Sequence, residues 1–224
     1  MRKIELEEFK KIEPGSYVLI DTRLPDEFME GFIEESLSVP FGDDFMDTLN
    51  DLIAENQAVV FLTGGDNAMD VLRAVKAAGN INTLGYLEGG FEAWRNADGA
   101  YNMLIGIDAG EFAMDYQFDE FFLVDVRSAD EFAQEHVEDA ENVVLNDLEQ
   151  ALMELDNTQS YYVYGATPAD AVTAGSLFKY YGFERVRAVV ADYEQIKASG
   201  IPLFVQKKKE KPGGNPSNSD PEQN

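Results

Sequence analysis

The sequence predicts an α/β protein made of two duplicated domains, each a central, mostly parallel sheet with helices on both faces. Three observations carry this expectation. The chain repeats itself, since YVLIDTRLPDEF (Tyr17–Phe28) is matched by FFLVDVRSADEF (Phe121–Phe132) at an offset of 104 residues. Within each copy, short apolar runs rich in β-branched and aromatic residues alternate with helical stretches of about a dozen residues, the rhythm of parallel strands joined by crossover helices. The length, 224 residues, and a hydrophobic share of 45% with 15 Phe and 10 Tyr suffice for two ordinary cores.

In chain order, the apolar run from Tyr17 reads as a buried strand that stops at Asp21-Thr22-Arg23, and a short helix opens near Pro25-Asp26. A second buried strand, AVVFL (Ala58–Leu62), leads through a short loop to a helix over about Asn67–Ala78, with Gly79 as its C-terminal cap. The segment TLGYLEGGFEAWRNADGAY closes the first copy. The boundary falls near Leu104–Asp108, ahead of the helix-like DAGEFAMDYQ, giving domains at 1–105 and 106–205. The second copy then repeats the plan: the run to Asp125-Val126-Arg127, a helix near Ala129-Asp130, the strand SYYVY (Ser160–Tyr164), a helix over about Pro168–Tyr181 before Gly182, and VRAVVADYEQIKASGIPL. From Gln206 the chain turns to KKKEKPGGNPSNSDPEQN, which lacks large apolar residues, so 206–224 is expected to be a disordered polar tail.

Composition narrows the function. With 43 acidic and 17 basic residues the formal charge is −26, and both halves are acidic, which repels phosphate backbones and anionic lipid. Nucleic acid and membrane are therefore not expected partners. The acidity fits a solubilising surface or adaptation to high salt. There is no cysteine, which removes disulfides, thiolate metal sites and thiol nucleophiles together, and the single His136 cannot form a multi-histidine site within one chain. No metal and no cofactor is implied. The start MRKIELEEFKKIEPG has no apolar signal-like core and no stretch is long and apolar enough to span a bilayer, so cytoplasmic residence is expected. Paired acids such as Asp43-Asp44 and Glu34-Glu35 lack the spacing of a cation loop and read as a solvated face.

The repeated segments resemble the rhodanese family. In the first copy the matching residues are Asp21, Arg23, Glu27, Phe28, Gly31, Ile33 and Pro40, then Leu87, Gly89, Gly90, Phe91 and Trp94. The second copy keeps Asp125, Arg127, Glu131, Phe132, His136, Val137, Ala140, Asn142, Gly200 and Pro202, but has Ala191-Asp192 for the Gly-Gly pair and Ile196 for the Trp. The resemblance implies two rhodanese-like domains covering about residues 3–205. Arg23 and Arg127 are expected to pair with a nearby carboxylate such as Glu27 or Glu131, fixing the strand-to-helix turn. His136 is expected to be a buried, hydrogen-bonded histidine and belongs to no site.

Active members of this family carry a cysteine at the end of the second buried strand, at the start of a loop whose backbone amides converge on a helix N-terminus and stabilise a thiolate or persulfide. Counting back from the capping glycines, that position falls on Leu62 in the first copy and on Gly165 in the second. The first loop, Leu62-Thr63-Gly64-Gly65-Asp66-Asn67-Ala68, keeps a middle glycine at Gly65, and Asp66 is expected to fill the amide cradle from within. In the second, Gly165-Ala166-Thr167-Pro168-Ala169-Asp170, Pro168 removes one amide donor and suits a first helical turn. Thr63 and Thr167 have no histidine or lysine nearby in sequence to activate them, so they read as capping residues. The expectation is a catalytically inactive tandem acting as a binding or regulatory module for a protein partner or small ligand, with these vestigial loops as the candidate contacts. An alternative is an accessory subunit of a sulfur-transfer system whose cysteine comes from a partner chain, and a third is a purely structural domain pair.

Overall fold

In the computed structural model, which describes residues 1–64 and 68–206, the same order of elements runs through the chain twice. The first half holds β1 (Lys3–Ile4), α1 (Leu6–Phe9), β2 (Val18–Asp21), α2 (Pro25–Glu30), β3 (Phe32–Ile33), β4 (Ser36–Ser38), α3 (Phe45–Leu52), β5 (Val59–Leu62), α4 (Ala68–Ala78), β6 (Thr83–Leu87), α5 (Gly90–Asn96) and β7 (Tyr101–Asn102). The second holds β8 (Ile105–Ile107), α6 (Ala109–Phe118), β9 (Phe122–Asp125), α7 (Ala129–Gln134), β10 (Glu135–Val137), β11 (Glu141–Asn142), α8 (Leu148–Leu152), β12 (Tyr161–Tyr164), α9 (Pro168–Tyr180), β13 (Val186–Val189), α10 (Tyr193–Ala198) and β14 (Leu203–Val205).

Each half builds a five-stranded sheet in which every neighbouring pair is parallel. The orders are β1-β6-β5-β2-β4 and β11-β9-β12-β13-β8, so the first sheet ends on β4 and the second on β11 at the equivalent edge. A small antiparallel pair accompanies each sheet, β3 with β7 and β10 with β14.

Alternation along the strands explains the layering. In β5, Val60 and Leu62 face a cluster with Phe9 of α1 and Phe91 of α5, while Val59 and Phe61 face Phe45 and Leu49 of α3 and Val71 and Val75 of α4. In β12, Tyr162 and Tyr164 face Phe112 of α6 and Ile196 of α10, while Tyr161 and Val163 face Leu148 and Leu152 of α8 and Phe178 of α9. Both faces of each sheet are thus covered by helices. The α3/α4 side of the first copy and the α8/α9 side of the second form one continuous cluster, so the halves share a core.

The shared core rests on α9. Eight consecutive residues, Ala171 to Phe178, are buried, as befits a helix enclosed on all sides, whereas α4 buries only the stripe Val71, Leu72 and Val75. The helix lies over β12 and β13 of its own sheet and against β4 and α2 of the other copy. There the Ser38 N–H, on the edge strand, donates to Ser176 Oγ at 3.0 Å, and Ser176 Oγ donates in turn to Thr173 O at 2.6 Å. A Cβ on Gly175 would meet Leu104 Cδ2 at 2.8 Å, so this approach needs glycine or a displaced Leu104. No helix among the described residues is long and apolar enough to cross a membrane. The tail expectation concerns residues 207–224, outside those described.

Candidate functional site

In each copy the strand that ends in Asp-x-Arg delivers a buried ion pair beneath the candidate loop. Arg23 Nη2 reaches Asp21 Oδ2 at 2.6 Å and Nε reaches Oδ1 at 3.0 Å, while Nη1 binds Glu27 O at 3.1 Å and Nη2 also binds Gly31 O at 2.7 Å. Arg127 repeats the fork on Asp125 at 2.5 and 3.0 Å and binds Glu135 O at 2.9 Å. The expected partners, Glu27 and Glu131, are corrected here. An aspartate two residues earlier on the strand shares the arginine's buried site, while the glutamates lie on the helices and reach back to cap them at Leu24 N and Ser128 N. Each guanidinium is also stacked on an aromatic ring, 4.3 Å from the Phe91 centroid and 3.5 Å from that of Tyr193.

Sheet register places the two loops. Asp21 lies opposite Leu62 and Asp125 opposite Tyr164, so Leu62 corresponds to Tyr164, and Thr63 corresponds to Gly165. Leu62 and Gly165, equivalent when counted from the capping glycines, are one residue out of step because the second copy's loop and helix are one residue longer. Leu62 is fully buried in the apolar cluster of its sheet. Thr63 and Gly64 follow as half-buried loop residues and Ala68 opens α4. Gly65, Asp66 and Asn67, including the expected internal carboxylate, lie outside the described residues.

In the second copy, Gly165, Ala166 and Thr167 form the loop, and Pro168, Ala169 and Asp170 the first turn of α9. Asp170 closes it. Its carboxylate accepts from Thr167 N and Thr167 Oγ1, each at 2.9 Å, while Asp170 N donates to Thr167 Oγ1 at 3.3 Å, a reciprocal cap. A Cβ on Gly165 would meet Asp170 Cβ at 2.4 Å, so this position has no room for any side chain unless Asp170 moves. A filling carboxylate thus occurs in this copy, at Asp170, whereas the expectation placed one at Asp66 of the first. The floor is filled by Tyr164, whose hydroxyl accepts from Val137 N at 3.2 Å, and by Tyr193, stacked 6.0 Å from Tyr164. Burial raises the pKa of both phenols, which stay protonated and neutral.

The first copy keeps a cavity of about 370 Å³ at this place, lined by Thr63, Gly64, Ala68, Gly89, Gly90 and Phe91, with Arg23 at its base and Glu27 and Glu92 at its sides. Arg23 is almost fully buried, and its charge is paired with Asp21 while Nη1 and Nη2 also bind backbone carbonyls. The nearby Arg95 is paired with Glu92 at 2.6 Å. Among the described residues the lining therefore offers no unpaired cation to an anionic donor, and with Glu92 held by Arg95 it is the Glu27 carboxylate that favours neutral or cationic groups.

His136 stands apart from both loops. It is half-buried rather than buried, because it sits on the short β10, held between Phe132 and Phe204 at 3.7 and 4.8 Å with Nδ1 2.7 Å from Phe132 O. Among the described residues no group of three acids or histidines is placed to hold a metal. Phe91 and Tyr193 hold equivalent places in the segments TLGYLEGGFEAWRNADGAY and VRAVVADYEQIKASGIPL, 102 residues apart, but neither sequence names the arginine each ring stacks on, because the two are distant along the chain.

A family model for the rhodanese-like domain matches residues 6–97 and again 108–199. Solved structures with similarity include the rhodanese-like domain of an Anabaena protein, 24% identical over 54% of this chain and 94% of that one, with a TM-score of 0.44. A full-length protein from Lactobacillus plantarum is 23% identical over 46% of this chain and 88% of that one, TM-score 0.41. A thiosulfate sulfurtransferase from Pseudomonas aeruginosa is 16% identical over 92% of this chain and 44% of that one, TM-score 0.40. Among curated proteins, none matches the chain.

Proposed function

The chain belongs to the rhodanese-like domain family in two tandem copies, and from that membership we propose that it is a non-catalytic recognition module that binds a protein partner through the first copy's open cavity. The observation that carries this reading is the contrast between the two loops. Neither holds a thiol, since the chain has no cysteine. The second is closed by Asp170 with no space for a side chain at Gly165, whereas the first retains a concave, acid-flanked cavity. A site with its cation spent internally suits a neutral or cationic group, such as a partner's basic side chain.

The test is capture of a defined partner by the purified chain beside Thr63→Arg, which places a bulky cation in the cavity. The expected result is loss of that partner with Thr63→Arg and retention with Thr167→Arg in the closed loop. Equal retention by both variants sinks the reading. The cavity also leaves room for the accessory role, in which a partner's cysteine-bearing loop enters it, and a captured sulfur-transfer enzyme lost by Thr63→Arg favours that version. Thiosulfate-to-cyanide turnover by the chain alone would contradict both.

A further inference from the structure

The first copy shows what covers the outer edge of this type of sheet. Strand β4 is an edge strand, yet Ser36, Leu37 and Ser38 are all buried, because α9 lies across β4 and α2 and its Ser176 accepts the outward N–H of Ser38. In the second copy, among the described residues, α4 makes no comparable contact with the same edge. Asn142 stands opposite Asp125 as Ser38 stands opposite Asp21, and in both copies the following valine N–H binds that aspartate's carbonyl, Val39 at 2.9 Å and Val143 at 3.1 Å. The Asn142 N–H therefore points outward as Ser38's does.

Along this edge runs a groove of about 500 Å³, floored by Val143, Val144 and Ala151, bounded by Ala129 at the start of α7, and rimmed by Asp147 and Glu154. The α7/β11 corner is the counterpart of the α2/β4 corner that holds α9. Among the described residues no basic side chain lines it. We propose that this groove takes a helix from a partner protein, with small side chains on its inner face and cationic residues at its edges, in the way that β4 takes α9. A second copy of this chain is a poor occupant. The equivalent helix α4 carries the exposed ion pair Asp70–Arg73, at 2.8 Å, where α9 has Thr173 and Ser176, so its outer face lacks small side chains to bury. Two copies each with a charge of −26 also repel one another.

The probe is a stapled helical peptide of residues 168–181 bearing Asp170→Lys and Tyr181→Lys, titrated onto the full chain by fluorescence anisotropy. Saturable binding is expected, weakened about tenfold or more by Ala151→Trp, which fills the groove, and also by the exposed reversal Glu154→Lys, which spares the fold. Thr63→Arg should leave it unchanged, which separates this site from the first copy's cavity. Absence of saturation, or equal affinity for Glu154→Lys and the unmodified chain, overturns the proposal. Sedimentation of the chain alone completes the test: self-association abolished by Ala151→Trp would assign the groove to a second copy and overturn the foreign-partner reading.

Discussion

Asp21 and Arg23 place two charges in a core where neither is stable alone. The aspartate is fully buried and the arginine nearly so, and their mutual fork, two backbone carbonyls and the Phe91 ring replace the water they have lost. Replacing only one partner exposes this dependence. Asp21→Ala leaves the guanidinium buried without its carboxylate and should cost about 3–5 kcal/mol, read by urea denaturation, whereas replacing both residues by apolar ones of similar volume should cost much less. The sequence showed the arginines and the need for a carboxylate, but two acids were within reach of each. Only the strand geometry selects the aspartate. A second residue-scale effect is alkaline. The Tyr116 hydroxyl donates to Glu138 O at 3.0 Å beside the Asp139 carboxylate, and burial together with that negative charge pushes its pKa from the ordinary 10 up to about 12. The folded chain then holds a proton that the unfolded chain loses, so this contribution is full below pH 10 and falls away as the pH rises towards 12. Difference absorbance of tyrosinate should show one fewer late-ionising phenol in Tyr116→Phe than in the unmodified chain, and the variant's stability should fall less over that interval.

Among the elements, α9 is the one whose ends and faces are most constrained. Its cap is reciprocal, so Thr167→Ala should cost about 1 kcal/mol in chemical denaturation while Thr167→Ser retains most of it. The long elements were legible in the sequence. The strands at Val18–Asp21, Val59–Leu62, Phe122–Asp125 and Tyr161–Tyr164 follow from their apolar runs, and α4 and α9 start and stop within a residue or so of where the proline, polar and glycine signals put them. The two-residue strands β1, β3, β7 and β11 were not legible, because two residues carry no periodicity and pairing alone defines them. The loops were half legible. The missing cysteine was written in the composition, but closure by Asp170 depends on a capping geometry that the sequence around Pro168 does not spell out.

For the whole molecule, the decisive fact is the shared core. Duplication was plain in the sequence, and so was the uncharged stretch Ala171–Phe178, but nothing in one strand's sequence says that its open edge will be covered by a helix some 138 residues away. Because α9 belongs to both cores, the two copies should melt together. Calorimetry is expected to give a single transition whose calorimetric and van't Hoff enthalpies agree. Ser176→Arg forces a charge between α9 and β4 and should split this into two transitions or lower both, whereas Arg73→Ala on the exposed face of α4 should leave one.

That arrangement also sets an order in time. A ribosome releases β4 long before it makes α9, and at roughly 5–20 residues per second the first copy waits on the order of ten seconds for its cover. During that interval the nascent edge faces water and other chains. The Ser38 N–H, which Ser176 satisfies once the chain is finished, is left to water while it waits, so the edge stays open to pairing with other strands until α9 is made.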